Sequence, residues 1–99
     1  MKETEYQQHL KKRIKKLIPS AVVLKNDPNW LQGFPDLTIL HKDSGKYALL
    51  EVKRDQFAPC RPNQEYYINS ASEAGVFSAF IFPENENEVL DGLQQSLEA

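Results

Sequence analysis

A carboxylate and an ammonium group lie two residues apart in Glu51-Val52-Lys53, directly after the apolar run Ala48-Leu49-Leu50. Because side chains alternate along a strand, Glu51 and Lys53 should point to the same face of a sheet. Charged groups in such a strand are unfavourable to bury unless they are paired or bind a metal ion. The pattern therefore predicts either a small reactive centre or a simple salt bridge on an exposed sheet face.

Asp36 favours the reactive centre, because it opens a strand that precedes Glu51 across a predicted hairpin. Both acids lie seven residues from the turn centre near Asp43-Ser44, so antiparallel pairing brings them together at one end of the hairpin. Two converging carboxylates form a hard oxygen site that suits Mg²⁺ together with waters and a substrate phosphate. An Asp that only caps the turn after Pro35 is the alternative.

Lys53 and Gln64 are the polar groups expected beside these acids. Lys53 can orient or deprotonate an attacking water, or stabilise the charge that develops on phosphorus. Gln64 shares the inward face of a predicted helix with Tyr67 and Ile68, where a polar amide must find a partner. It can hold the scissile phosphate or the water, or it can bond to the backbone at the helix end.

The first helix carries two acids that its periodicity separates. Glu3 falls in the apolar stripe with Tyr6, whereas Glu5 falls on the opposite face. Glu3 is therefore predicted to reach the metal site, and Glu5 is predicted to be solvated. If Thr4 caps the helix, Glu3 lies outside it and its direction is less constrained.

The net charge of −2 is unevenly distributed along the chain. Residues 1–18 hold six Lys or Arg against two Glu, whereas residues 84–99 hold five acids and no base. The basic residues of the first helix can contact phosphates, or they can simply be solvated. Trp30, in the loop before Asp36, can stack on a splayed base or close the end of the core. The predicted DNA-binding residues are Lys11, Lys12, Arg13, Lys15, Lys16 and Trp30.

The elements that must position these residues follow the order α-β-β-β-α-β-α. The first helix starts at Thr4 and stops at Pro19, with Tyr6, Leu10, Ile14 and Leu17 inward. The last helix is amphipathic through Val89, Leu90, Leu93 and Leu97. The other predicted elements are strands over 20–25, 36–41 and 47–54, a helix from Pro62 to Gly75, and a strand over 76–82 buried on both faces.

Length and composition predict one domain over residues 1–99 with an ordinary globular composition, 40% apolar and 26% charged. The single cysteine, Cys60, cannot form an internal disulfide, which fits a reducing cytoplasm. The polar N-terminal segment does not resemble a secretory signal, and no segment is long and apolar enough to predict a membrane span.

Several of these segments together resemble a known nuclease pattern. Gly33-Phe34-Pro35-Asp36 followed by Glu51-Val52-Lys53 resembles the PD-(D/E)XK superfamily. Arg61-Pro62-Asn63-Gln64 and Lys2-Glu3-Thr4-Glu5-Tyr6 resemble its VRR-NUC branch. The resemblance implies an α/β, restriction-endonuclease-like αβββαβ core, with a mixed central sheet flanked by helices and an extra C-terminal helix.

The resemblance also implies roles for individual residues. Asp36 and Glu51 become metal ligands, with the Val52 backbone carbonyl as a further ligand and Glu3 acting through a water. Lys53 becomes the catalytic lysine, and Gln64 the polar residue typical of the branch. The implied cofactor is Mg²⁺ or Mn²⁺. One departure is Tyr67, where a Trp is more often expected.

The resemblance implies an endodeoxyribonuclease. Short members of this branch are typical of phages and bacteria, so we expect the cytoplasm of a bacterium or of a phage-infected host. We expect a homodimer that acts on four-way (Holliday) junctions. Its interface is expected on the Trp30-Leu31-Phe34 loop or on the apolar face of the last helix, although either surface can equally cover the chain's own core, which is the favoured interpretation for the helix. The alternatives are a nickase, a flap or restriction-like nuclease, and a non-catalytic DNA-binding module.

Overall fold

The computed structural model describes residues 1–99 and has the predicted order of elements, with one additional short 3₁₀ turn before the last helix. Most boundaries differ from the prediction by one or two residues. The elements are α1 (Glu3–Leu17), β1 (Ala21–Lys25), β2 (Leu37–His41), β3 (Tyr47–Val52), α2 (Pro62–Glu73), β4 (Phe77–Ile81), the 3₁₀ turn (Pro83–Asn85) and α3 (Glu86–Glu98).

Helix α1 begins and ends differently from the prediction. Its N-terminal cap is Lys2, without a side-chain hydrogen bond, so the predicted capping box at Thr4 is wrong and Glu3 lies inside the helix. At the other end Leu17 is exposed and Ile18 is buried instead. Ile18 leaves the helical conformation, with φ −129° and ψ 84°, and this change of direction turns its side chain into the core.

The four strands form one mixed sheet in the order β1-β2-β3-β4. Strands β1, β2 and β3 are antiparallel neighbours, and β3 and β4 are parallel. A parallel pair needs a crossover connection, and α2 supplies it. The predicted α/β class and mixed sheet flanked by helices are confirmed.

The two faces of the sheet are covered unequally. Helices α1 and α3 pack on one face, which carries Ile39, Ala48, Leu50 and Val52 in the hydrophobic core. Helix α2 lies against β3 and β4 on the other face. Strand β4 was predicted to be buried on both faces. Helices α2 and α3 do contact it from opposite faces, but it is the edge strand, and only Ile81 in it is fully buried.

Helix α3 directs its apolar face into the molecule. Val89, Leu90, Leu93 and Leu97 are all buried in the core. Of the two interpretations of this face, a dimer interface or a cover for the chain's own core, the structure shows the second, which was the favoured one. None of the three helices is long and apolar enough to cross a membrane.

Gly33 is the point at which the loop before β2 touches α2. Its φ is +86°, and a Cβ built there would collide with the Cβ of Asn63. Gly45, in the β2–β3 turn, has a similar φ of +73° but faces open space. The two glycines therefore share a backbone requirement, and only Gly33 also requires the absence of a side chain.

Replacing each glycine by alanine should separate these two requirements. Gly45→Ala should lower the free energy of unfolding by about 1 kcal/mol, from the positive φ alone. Gly33→Ala should lower it by about 1–3 kcal/mol more, because the loop and α2 must move apart. Urea unfolding of both variants measures the difference, and equal losses would contradict the close contact.

Candidate active site

The two predicted carboxylates do meet at the end of the β2–β3 hairpin. Leu37 pairs with Leu50, and the same register carried one residue further places Asp36 opposite Glu51. Asp36 Oδ2 accepts a hydrogen bond of 2.9 Å from the Val52 amide, which fixes its side chain against β3. Glu51 is only 3% exposed. The hairpin therefore holds two acids together in a largely buried position.

This proximity changes the acidity of both groups. Burial, and then the negative charge of Asp36, raises the pKa of Glu51 to about 8. Burial also raises the pKa of Asp36, although its hydrogen bond from Val52 opposes the shift. At neutral pH without a cation, Glu51 therefore carries a proton that it shares with its neighbour.

Gln64 connects the buried acid to the lysine. Its Nε2 donates to Glu51 Oε2 at 2.7 Å, while its Oε1 accepts from Lys53 Nζ at 2.8 Å. The same Oε1 accepts from the Arg61 backbone amide at 3.0 Å. Gln64 was predicted either to hold the phosphate or the water, or to bond to the backbone at the helix end. The backbone bond is present, and the contact with a phosphate or water stays a prediction.

Lys53 is held beside Glu51 by neighbours on two sides. Its Nζ lies 3.9 Å from Glu51 Oε2 and donates to the carbonyl of Pro59 at 2.9 Å. With the bond to Gln64, two of the three ammonium protons have fixed acceptors. The remaining proton is free for a ligand, so the salt bridge alone does not account for this side chain.

Two open depressions meet at this centre. The first, of about 480 Å³, is lined by Gly33, Phe34, Asp36 and Asn63 among others. The second, of about 330 Å³, is lined by residues that include Glu3 and Lys53. Both are also lined by Glu51, Arg61 and Gln64, so these three residues stand where the depressions join.

The two acids of α1 differ as predicted in their relation to the site. Glu3 lines the second depression, and its pKa is raised by partial burial and by the negative charge of Asp36. Glu5 lines neither depression and is exposed. Glu3 is itself exposed, however, so it stands at the rim of the site rather than beneath it.

The predicted DNA-binding residues are not equivalent. Arg13 forms an ion pair with the buried Glu86 and donates to Asn87 Oδ1 at 2.6 Å. It therefore joins α1 to α3, and its prediction as a free phosphate-binding cation is wrong. Trp30 is 88% exposed, which excludes the alternative that it closes the core. The remaining basic residues, Lys11, Lys12, Lys15 and Lys16, are exposed on α1.

The donor set fits a hard divalent cation. Glu51 Oε1 is buried without a hydrogen-bond partner, and a proton, a water or a cation can satisfy it. No group of three or more His, Cys, Asp or Glu side chains is arranged to hold a metal ion. The hairpin offers Asp36 and Glu51 as a candidate two-carboxylate site. Mg²⁺, which keeps several waters, suits such a site.

Two supporting groups were not predicted from the sequence. The Pro59 carbonyl positions Lys53, and Arg61 lines both depressions without any salt bridge. Backbone acceptors leave no sequence signal. The position of Arg61 directly before the helix that carries Gln64 was the available indication.

The fold and the site together define an α/β domain with two carboxylates, a lysine and a glutamine at one end of a mixed sheet. The VRR-NUC domain model matches residues 1–81, so the chain belongs to the VRR-NUC family of nuclease domains. No curated protein matches the chain closely.

Solved structures support the same fold. A structure described as a VRR_NUC domain has a TM-score of 0.70 at 24% identity, over 94% of both chains. A second, described as a VRR_NUC domain protein, also has a TM-score of 0.70, at 18% identity, over 99% of this chain and 89% of that chain.

The shared proton leads to a prediction about stability. The raised pKa means that folded Glu51 retains a proton between about pH 4.5 and 8, where the unfolded chain has lost it. Stability of the metal-free protein should therefore fall as pH rises through this window. Glu51→Gln removes this titration. Its free energy of unfolding relative to that of wild type should therefore be higher at about pH 8.5 than at about pH 5, by at least about 1 kcal/mol.

Urea unfolding in EDTA at the two pH values measures this gain. Glu5→Gln is the matched control, because Glu5 is exposed and outside the site. A difference between Glu51→Gln and wild type that is the same at both pH values would refute the shared proton.

Proposed function

We propose that this protein is a metal-dependent endodeoxyribonuclease that hydrolyses DNA phosphodiester bonds. The observation that carries the proposal is the continuous contact from the Asp36–Glu51 pair through Gln64 to Lys53, at the junction of two open depressions. A purely structural salt bridge has no use for an unsatisfied buried carboxylate oxygen beside an open surface.

In this proposal each side chain has a separate task. Asp36 and Glu51 hold the cation, and the Val52 carbonyl and Glu3, through a water, are further candidates for its coordination sphere. Gln64 fixes the rotamers of both Glu51 and Lys53, because one amide group bonds to both. The free proton of Lys53 holds the attacking water or the charge that develops on the phosphate oxygens.

Bound Mg²⁺ or Mn²⁺ would supply Lewis-acid polarisation of the phosphate and a more acidic water. Its binding would displace the proton of Glu51, so affinity for the metal should rise with pH toward about 8.

A non-catalytic DNA-binding module is the main alternative from another class. Such a module gains nothing from holding two acids against each other, since the repulsion weakens both folding and phosphate binding. A nickase, a flap nuclease or a restriction-like enzyme would use the same centre, and only the substrate distinguishes them.

Catalysis should depend on Lys53 and on the divalent cation. Lys53→Ala should lower the cleavage rate at least about 100-fold, because the charge that faces the phosphate is lost. DNA binding should change little, since the α1 lysines remain. Gel analysis of labelled DNA with Mg²⁺ or with EDTA measures both effects, and a variant that cuts at the wild-type rate would exclude this assignment.

The two α1 acids provide an internal comparison in the same assay. Glu3→Gln should slow cleavage clearly more than Glu5→Gln, because only Glu3 lines the site. Equal rates for the two variants would place Glu3 outside the mechanism.

We further propose that the protein acts as a homodimer on four-way DNA junctions. Resolution of a junction needs two symmetric nicks and hence two active sites, which two-fold symmetry supplies. The α3 face is buried, and the Trp30-Leu31-Phe34 loop borders the candidate active site. We therefore place the interface on the sheet face that α2 leaves open. Leu24, Leu40 and Tyr47 are 40–46% exposed there, on three neighbouring strands.

Light scattering should give a mass near twice 11.4 kDa. Leu40→Glu should shift it to that of a monomer, because a charge on this face opposes burial against a second copy. Lys42→Glu, at an exposed turn position, is the control and should leave the dimer intact. Paired cuts in a junction should be lost only in Leu40→Glu. A monomeric wild type that cuts linear duplex equally well would contradict the proposal.

A further inference from the structure

Two exposed aromatic side chains sit on the loops that border the candidate active site. Trp30 is 88% exposed and Phe57 is 84% exposed. An exposed aromatic ring gives up the favourable free energy that its burial would contribute. Isolated apolar side chains on a surface need no explanation, but these two flank the same centre from different segments of the chain.

The Trp30 loop contains an open depression that is large enough for a nucleobase. This depression, of about 280 Å³, is lined by Asn26, Asp27, Trp30, Leu31 and Phe34. Phe34 also lines the first depression of the active site, so the two cavities adjoin. The Phe34 ring is held in position because it packs edge-on against Tyr67, with ring centroids 5.4 Å apart.

Phe57 lines neither depression itself, but it lies on the loop that borders the second one. It directly precedes Ala58 and Pro59, which line the second depression. The loop is held in position, because the Phe57 amide donates to Asp55 Oδ1 at 2.8 Å and Lys53 donates to the Pro59 carbonyl. The ring is thus presented from an ordered turn that is tied to the catalytic lysine.

Two cations accompany these rings. Arg61 lies at the junction of the two depressions and has no acidic partner. Arg54 lines the second depression and is exposed, 3.7 Å from Asp55. Aromatic rings alternating with cations along a groove are the arrangement by which proteins bind nucleic-acid strands with unstacked bases.

We propose that Trp30 and Phe57 each stack on one base, on either side of the phosphate that faces Lys53. Arg61 contacts the backbone between them. The strand in the site is therefore unstacked, which favours DNA whose bases can leave the stack, in a single strand or at a branch point, over intact linear duplex. This inference rests on the proposed nuclease function for the position of the phosphate, but base binding itself can be measured without cleavage.

The chain has one tryptophan, which makes the test direct. Oligothymidine is added in EDTA, so that no strand is cut, and the fluorescence of Trp30 is recorded. Stacking should quench the emission, whereas an abasic oligomer with the same phosphates should not. The double variant Phe57→Trp with Trp30→Phe moves the reporter to the second position and should respond in the same way.

A third reporter provides the matched control. Tyr47→Trp with Trp30→Phe places the ring at the opposite end of β3 from Glu51, where base-dependent quenching should be absent. Affinity gives a second measurement: Phe57→Leu should weaken binding of oligothymidine about tenfold and that of blunt duplex much less. Arg61→Gln should lower the salt slope for oligothymidine by about 0.7.

The outcomes separate the two proposals. Quenching at both positions without cleavage in any metal would support base binding and refute the nuclease function. Cleavage by wild type without base-dependent quenching would refute base binding and leave the nuclease function intact. Quenching at only one of the two positions would overturn the proposal that bases stack on both Trp30 and Phe57. The same would follow if Phe57→Leu weakened the binding of single strand and of duplex equally.

Discussion

The close approach of two carboxyl groups at the buried end of a hairpin is the constraint on which the rest of the structure depends. The register of β2 and β3 places Asp36 opposite Glu51, and no rotamer change alone can separate residues paired in this way. Like charges in a buried position destabilise the folded chain. The protein therefore needs compensating groups around this point, and the polar residues of the site provide them.

The compensation is incomplete in a specific way. The Val52 amide satisfies Asp36, and the Gln64 amide satisfies one oxygen of Glu51. The other oxygen of Glu51 is left without a donor. In a site that served only stability, an apolar pair would be more favourable than this arrangement. The remaining unsatisfied oxygen is what an incoming cation would use, so the destabilised centre is also a preorganised one.

Much of this site follows from local sequence patterns. The symmetric spacing around the Asp43-Ser44 turn correctly predicted that Asp36 and Glu51 would face each other, because hairpin register depends on turn position alone. Helical periodicity likewise placed Gln64 on the inward face of α2. Glu3 was separated from Glu5 by the same reasoning, although the predicted cap at Thr4 was wrong. These relations involve residues close in sequence or within one element.

The errors have a different origin. The capture of Arg13 by Glu86, the burial of Ile18 in place of Leu17 and the edge position of β4 all depend on contacts between distant elements. An apolar helix face also looks the same in sequence whether it covers its own sheet or a partner, and α3 does the former. Tertiary packing decided each case, and single-sequence patterns do not contain it.

The Gln64 amide has a consequence for the timing of events in the site. Because one planar group bonds to both Glu51 and Lys53, neither side chain can change rotamer without disturbing the other. A cation that moved Glu51 would therefore also move the lysine amine, because Gln64 bonds to both side chains. Occupancy of the acidic half of the site and orientation of its basic half would then be a single cooperative event.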